Sequence, residues 1–416
     1  MNACIIAVGS EMLTPFRVDT NSLAVTERLN AVGFDVRMKV VAGDDVNELA
    51  GVFARAAASY DLVICTGGLG PTADDVTREA ASLAFEMPLD VDEAIVDGIR
   101  ARFEKRGMNM PAINARQGMV PRGAEVIQNA FGTAPGLWID RGRVKIALLP
   151  GPPREMTPML EGIVHERLAP VSGGRGLFRR VVKITGRPES DVDAVAQPIY
   201  GQWTNAAVPI STTILAVMGQ IELHLTATAN SRQDADAALD AAVGELRAGL
   251  GRSIYSVDGR PLEAVVGHML RERRWTVAAA ESCTGGLLMS RLTSVSGSSA
   301  YVDRGFVCYS NAAKMEVLGV PAGLIEAHGA VSEPVARAMA DGARAKAGND
   351  VGIGVTGIAG PDGGTPEKPV GTVAIAVVAR DQASVRTFQF IGGREMVNFQ
   401  STQSAMNMLR ILMEPK

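Results

Sequence analysis

Apolar residues recur in two rhythms over the first 170 positions. Cys4–Val8 is a short unbroken apolar run, the mark of a strand buried on both faces. Val25, Leu29 and Val32 then repeat at i, i+4 and i+7 ahead of Gly33, which predicts a helix over 20–32 and its stop. Leu62–Cys65 is a second buried strand and runs into Thr66-Gly67-Gly68-Leu69-Gly70-Pro71. Val76, Ala80 and Leu83 mark the helix after that loop, and Lys145–Leu149 is a late strand closed by the turn Pro150-Gly151-Pro152-Pro153. Strand, loop and helix in repetition predict a largely parallel sheet covered by helices.

Val171-Ser172-Gly173-Gly174-Arg175-Gly176 reads as a linker, and the rhythm changes beyond it. Ile221, Leu223 and Leu225 alternate with Glu222, His224 and Thr226, as in a strand buried on one side. Leu239, Val243, Leu246 and Leu250 define an amphipathic helix, so a small α+β unit ends near Val257-Asp258-Gly259. A third segment opens on a helix with Pro261 at its first turn and Leu262, Val265, Val266, Met269 and Leu270 on one face. Thr276–Ala280, Val351–Val355 and Thr372–Val378 are its buried strands. The 416 residues exceed what one core serves, and we expect domains at 1–170, 177–256 and 257–416. The fold class is α/β, with a small α+β unit between two larger layered domains.

Composition narrows the function. Hydrophobic residues make up 47% and charged residues 21%, with a net charge of −4, and there is no basic excess to recommend nucleic acid as a partner. Cys4, Cys65, Cys283 and Cys308 form no C-x-x-C pair, which argues against a disulfide framework or a cysteine zinc site. His165, His224, His268 and His328 are scattered. No apolar run reaches the ~18 residues of a membrane span. The opening Met1–Gly9 lacks the basic start of a signal peptide, so the cytoplasm is the expected compartment.

Thr66–Thr77 is the richest signal in the first domain. Three glycines between a strand and a helix let backbone approach a bound group, and the helix start offers N–H donors to an anion. Thr72 is placed to cap the helix with Asp75 at its third position, and the adjacent carboxylates Asp74 and Asp75 suit a divalent cation against phosphate oxygens. A structural glycine turn, with acids complementing the helix dipole, competes with that reading. No Lys-Ser/Thr follows the glycines, so this is not a Walker loop.

These residues carry a resemblance. Ile5–Glu11, Asp19-Thr20-Asn21, Gly43-Asp44, Thr66–Thr77 and Leu149–Met156 resemble the N-terminal half of the CinA family, which is itself similar to molybdopterin-binding domains. The resemblance implies a three-layer fold and metal-dependent ADP-ribose pyrophosphatase activity. Gly67, Gly68 and Thr72 would then cradle the diphosphate, and Asp44 and Asp75 would hold a divalent metal ion such as magnesium. Thr14-Pro15-Phe16 departs from the family's Leu-Gly-Gln at that place. The middle unit resembles the family's KH module, but between Gly186 and Asn230 the only glycines are Gly201 and Gly219. The G-x-x-G grip on nucleic acid is therefore missing, and the unit reads as a spacer or dimerisation element.

In the third segment Ser282 follows a buried strand and precedes Thr284-Gly285-Gly286. That placement exposes a hydroxyl beside backbone N–H groups able to hold an oxyanion, although a lone serine there is also a common helix cap. Ala280–Gly286, Gly297–Tyr301, Arg304–Asn311 with Lys314, His328–Pro334 and Thr356–Gly364 resemble the CinA C-terminal domain, which is similar to nicotinamide mononucleotide deamidases. The resemblance implies a three-layer α/β amidohydrolase with no cofactor. Ser282 would be its nucleophile, Lys314 its base and Tyr309 a proton relay, with Thr284, Gly285 and Gly286 at the substrate. Read alone, Lys314 is a surface lysine on a 311–318 helix. Gly352-x-Gly354-x-x-Gly357 spells a dinucleotide fingerprint, but Pro361 and Gly363-Gly364 leave no room for its helix. The stretch reads as a strand and a substrate loop, with Thr356 and Gly357 near a ribose phosphate. Arg394 survives from the family's Gly-Asp-Arg and suits a phosphate; Asn398-Phe399 replace its arginine pair. A homodimeric, bifunctional hydrolase of pyridine-nucleotide salvage, acting on nicotinamide mononucleotide and ADP-ribose, is the expectation. A non-catalytic nucleotide-sensing protein, and a molybdopterin-binding role for the first domain alone, stand beside it.

Overall fold

The computed structural model describes residues 1–171 and 173–414, so Ser172 of the expected linker lies outside the described residues. The chain divides into two compact units, residues 1–178 with 227–237 and residues 179–226 with 238–416. No helix among the described residues is long and apolar enough to cross a membrane.

The first unit is built on strands β1 (Asn2–Val8), β2 (Asp35–Ala42), β3 (Leu62–Thr66), β4 (Leu89–Val91), β5 (Met119–Pro121), β6 (Glu125–Ile127), β7 (Gly136–Arg141) and β8 (Val144–Leu149). Its six-stranded sheet runs β2-β1-β3-β8-β7-β6. The first four strands are parallel, β7 runs antiparallel to β8 and β6 antiparallel to β7, so "largely parallel" holds with β7 alone reversed. Alternate residues of β1 face opposite cores. Cys4, Ile6 and Val8 pack with Leu49 and Phe53 of α2 (Val46–Ser59) and Ala80 and Phe85 of α3 (Thr77–Phe85). Ala3 and Ile5 pack with Val25 and Leu29 of α1 (Asn21–Ala31) and, once α4 (Glu93–Glu104) has passed, with Met156 and Leu160 of α5 (Pro153–Ile163). The result is three layers, and every parallel strand ends on the same side, beside Gly9, Thr66 and Pro150.

The middle segment holds β9 (Gly176–Ile184), α6 (Glu189–Tyr200), β10 (Ile210–Val217), β11 (Gln220–Ala229), α7 (Arg232–Leu250) and β12 (Ile254–Ser256), with strand order β10-β11-β9-β12. The alternation read at 221–226 is real: Ile221, Leu223 and Leu225 are buried, and so are Leu239, Val243, Leu246 and Leu250 of α7.

The third domain follows with α8 (Leu262–Arg273), β13 (Val277–Glu281), α9 (Leu287–Thr293), β14 (Val302–Val307), α10 (Asn311–Leu318), α11 (Ala322–His328), α12 (Glu333–Ala347), β15 (Val351–Gly357), β16 (Thr372–Ala379), β17 (Gln382–Gln389) and α13 (Arg394–Met413). The sheet order is β14-β13-β15-β16-β17, with the first three strands parallel. Leu262, Leu288, Met406 and Leu409 cover one face, and Val335, Met339 and Ala343 of α12 cover the other. All seven residues of the 351–357 stretch are strand, which confirms that the glycine pattern there is no nucleotide loop. A Cβ at Gly352 would meet Ala340 O at 2.1 Å, and one at Gly354 would meet Ala336 O at 2.2 Å. These glycines let α12 lie against the sheet.

Candidate functional site

Strand β13 delivers Ser282 to the carboxyl edge of the parallel strands, where open α/β sheets bind their ligands. The Ser282 amide donates to Val355 O at 2.9 Å, and the Glu281 carbonyl accepts from Cys308 N at 2.8 Å. The serine is thus stitched to the ends of both neighbouring strands. It is not a helix cap: α9 begins five residues later behind Gly286, with no side-chain cap from it. Ser310 caps α10 by accepting from Ala313 N at 3.1 Å, and this helix carries Lys314 inward.

Lys314 is 2% exposed, which overturns its reading as a surface lysine. Its Nζ donates to Ser282 Oγ at 3.1 Å and to the Tyr309 carbonyl at 3.1 Å. Burial pushes its amine below the usual lysine value, and the buried thiols of Cys308 and Cys283 are the only charge-bearing groups that act against the shift. Burial also pushes the Cys283 thiol up to about 12, so this neighbour of the serine is no rival nucleophile.

A hollow of about 190 Å³ opens on this pair, lined by Tyr309, Asn311, Thr356, Gly357 and Arg394 among others. Arg394 donates to Gly360 O at 3.0 Å and to Tyr309 Oη at 2.8 Å. Tyr309 is 62% exposed and its phenol is engaged by this arginine, and it is the Tyr309 carbonyl that meets Lys314. No hydrogen bond joins the Tyr309 phenol to Lys314 or Ser282 among the described residues. Thr356 is buried, with its hydroxyl on Ala330 O at 2.9 Å. Asn311, on the pocket wall, was not singled out from the sequence.

In the 284–286 segment the expected substrate role is contradicted at the two glycines, whose amides are engaged. Thr284, Gly285 and Gly286 are not part of the wall. The Gly285 amide is bound to Ser282 O at 3.1 Å and the Gly286 amide to Glu281 Oε2 at 3.1 Å, so neither is free for substrate. Among the described residues no oxygen accepts from the Cys283 and Thr284 amides, which are the two donors left beside the serine.

In the first domain a cavity of about 700 Å³ sits at the carboxyl edge of β1, β3 and β8, lined by Gly67, Gly68, Asp44 and Asp75 together with Thr66 and Glu155. Gly67 and Gly68 have φ of +101° and +66°, and a Cβ on either would strike Val8 O or Thr77 Oγ1 at 2.3 Å. Thr72 is not the helix cap. Helix α3 starts at Thr77, and Thr72 is engaged by Asp75, whose Oδ2 accepts from its amide at 2.8 Å and its hydroxyl at 2.6 Å. Oδ1 of Asp75 accepts from Gly70 N at 2.7 Å, so this carboxylate pins the loop. Asp44 Oδ2 accepts from Ser10 N at 2.9 Å. No three His, Cys, Asp or Glu side chains converge on one metal position among the described residues. Arg78, which the sequence did not flag, is 1% exposed and donates to Leu69 O at 2.8 Å and Gly70 O at 2.7 Å, holding the loop from beneath.

Fold and site together define a three-part α/β chain whose last domain holds a buried serine–lysine pair at the edge of a parallel sheet. The chain belongs to the CinA family. Family models match a probable molybdopterin binding domain over residues 4–170, the damage-inducible protein CinA KH domain over 179–256 and the CinA C-terminal domain over 259–413. A CinA-like protein of Solibacter usitatus is 43% identical over 410 residues, 99% of this chain and 98% of its own. A putative competence-damage inducible protein of Symbiobacterium thermophilum is 44% identical over 383 residues, 91% and 89% of the two chains. Among solved structures, the competence/damage inducible protein CihA of Agrobacterium tumefaciens is 40% identical with a TM-score of 0.36, covering 37% of this chain and 94% of its own. The protein CinA of Thermoplasma acidophilum is 33% identical with a TM-score of 0.38, covering 40% and 98%.

Proposed function

We propose that the third domain hydrolyses the carboxamide of nicotinamide mononucleotide, giving nicotinate mononucleotide and ammonia. The observation that carries this reading is a buried amine 3.1 Å from a serine hydroxyl at a strand end. A buried, neutral lysine takes the Ser282 proton as Oγ bonds to the carboxamide carbon. The oxyanion so formed lies beside the Cys283 and Thr284 amides. The Lys314 ammonium returns the proton to the departing nitrogen, and the C–N bond breaks to leave an ester on Ser282. Water gives a proton to the same amine as its oxygen bonds to the ester carbon; the C–Oγ bond then breaks, the Lys314 ammonium returns the proton to Oγ, and the carboxylic acid leaves. Arg394, at the rim and tied to Tyr309, suits the nucleotide phosphate, with Asn311 and Thr356 completing the wall.

For the first domain the reading is a pocket for a nucleotide diphosphate such as ADP-ribose. Its volume suits a ligand of that size, and its glycine backbone allows close approach. Asp44 and Asp75, both on the wall of this cavity, would hold a divalent cation against the phosphate oxygens.

Ser282→Ala is the decisive variant. Full-length protein releases ammonia from nicotinamide mononucleotide and the variant does not; unchanged release removes Ser282 from the chemistry. The same variant, offered ADP-ribose with and without a divalent cation, separates cleavage in the first domain from binding alone.

A further inference from the structure

Glu281, the last residue of β13, has no exposed surface. Burying a carboxylate is costly unless donors or a cation satisfy it, and no cation pairs with it among the described residues. Its partners are backbone amides: Gly286 N and Leu288 N on Oε2 at 3.1 and 3.0 Å, and Met289 N on Oε1 at 2.9 Å. These are the donors that the start of α9 leaves unpaired, and Gly286 has no side chain to serve them. Glu281 therefore caps α9 from the strand, across the turn that holds Ser282.

That turn is otherwise lightly held. The Ser282 amide is tied to Val355 O and the Gly285 amide to Ser282 O. The Thr284 hydroxyl is buried with no partner. Between the Ser282 anchor and the Glu281 anchor at Gly286, two backbone bonds hold the turn among the described residues, Gly285 N to Ser282 O at 3.1 Å and Leu287 N to Thr284 O at 3.0 Å. The Cys283 and Thr284 amides lie in this span.

We propose that Glu281 is the positioning residue of this hydrolytic site. By saturating the amides at 286, 288 and 289, its carboxylate fixes the 282–286 turn so that the amides at 283 and 284 remain aimed at the oxyanion. The proposal rests on Ser282 as nucleophile and adds the group that sets its donors.

The test compares Glu281→Gln and Glu281→Asp in the full-length chain. The Gln variant keeps the size but turns one acceptor into an N–H₂ group that faces an N–H. Loss of one oxyanion donor typically lowers turnover about a hundredfold, so misplacing the pair should lower kcat about tenfold to a hundredfold with KM within about threefold. The Asp variant keeps the charge and recovers part of that loss. Labelling of Ser282 by a fluorophosphonate, which needs no nucleotide, slows in parallel. If wild-type protein labels at Ser282 but leaves nicotinamide mononucleotide intact, the substrate reading fails, while the Glu281 comparison still runs on labelling rates. A folded Gln variant with wild-type kcat and labelling overturns the proposal, and so does a rise in KM alone. Should the Gln variant not fold, Met289→Pro removes one of the three donors at a helix position that tolerates proline, and it is read the same way.

Discussion

Lys314 shows why the chemistry is assigned to an amine and not to a histidine. No carboxylate contributes to its shift; burial lowers its affinity for a proton. The base form is neutral, so kcat/KM should rise with pH through a single ionisation below the ordinary lysine value of 10.5 and then level off. Stability follows the same sign. The unfolded chain binds this proton more readily than the native one, so stability rises with pH between the lowered native value and 10.5. Urea midpoints measured across that window should climb in wild-type protein, and the climb should be smaller in Lys314→Met. Equal slopes would mean that the native amine is not desolvated. The residue was recognisable only through the motif blocks around it. A helix of eight residues is too short for its apolar period to say which side chain points inward, and Ser282, 32 positions away, gives no local signal.

Elements were more readable than the bonds that tie them together. Cys4–Val8, Leu62–Cys65 and Val351–Val355 announce strands because both faces are apolar, and α7 announces a helix by its period. The antiparallel pair β6 and β7 went unread: β6 has three residues, too few to show a period. Helix α3 was placed too early because Thr72 and Asp75 spell a capping box, whereas their hydrogen bonds close a turn ahead of the helix. Glu281 and Arg78 went unread for a related reason, since a charged residue at the end of an apolar run reads as solvated until its partners are known. The glycines of β15 are the opposite case, a pattern that spells a function and serves packing. Gly354→Ala puts a methyl against the Ala336 carbonyl of α12, with no flexible side chain there to yield. Overpacking of this kind costs about 1–3 kcal/mol, so the thermal midpoint should fall by several degrees. An unchanged midpoint would show that α12 stands farther from the sheet than its contacts indicate.

Within the second unit the middle segment is bonded to the third domain. Arg252, just before β12, donates to Glu414 Oε2 and to Ile411 O, both at 2.7 Å. Arg410 of α13 is 1% exposed and reaches back to Arg252 O at 2.5 Å while pairing with Glu414 and Asn407. Tyr255 Oη and Gln403 Nε2 meet on Gln220 Oε1, at 2.5 and 3.5 Å. The change of pattern near residue 257 therefore marks a change of architecture within one compact body. Arg410→Ala would strand the Arg252 carbonyl and the Asn407 amide, while Glu414 keeps Arg252 and some solvent. Breaking a buried pair outright costs about 3–5 kcal/mol, and the exposure of Glu414 lowers the expectation to about 2–3 kcal/mol. Arg394 and Arg410 are 16 positions apart on α13, about 24 Å at helical rise. The Arg410→Ala protein should accordingly lose stability to urea yet keep its KM and kcat for nicotinamide mononucleotide below its melting range. Loss of kcat in protein that is still folded would show instead that the joint with the middle segment sets the geometry at the Arg394 end of the helix.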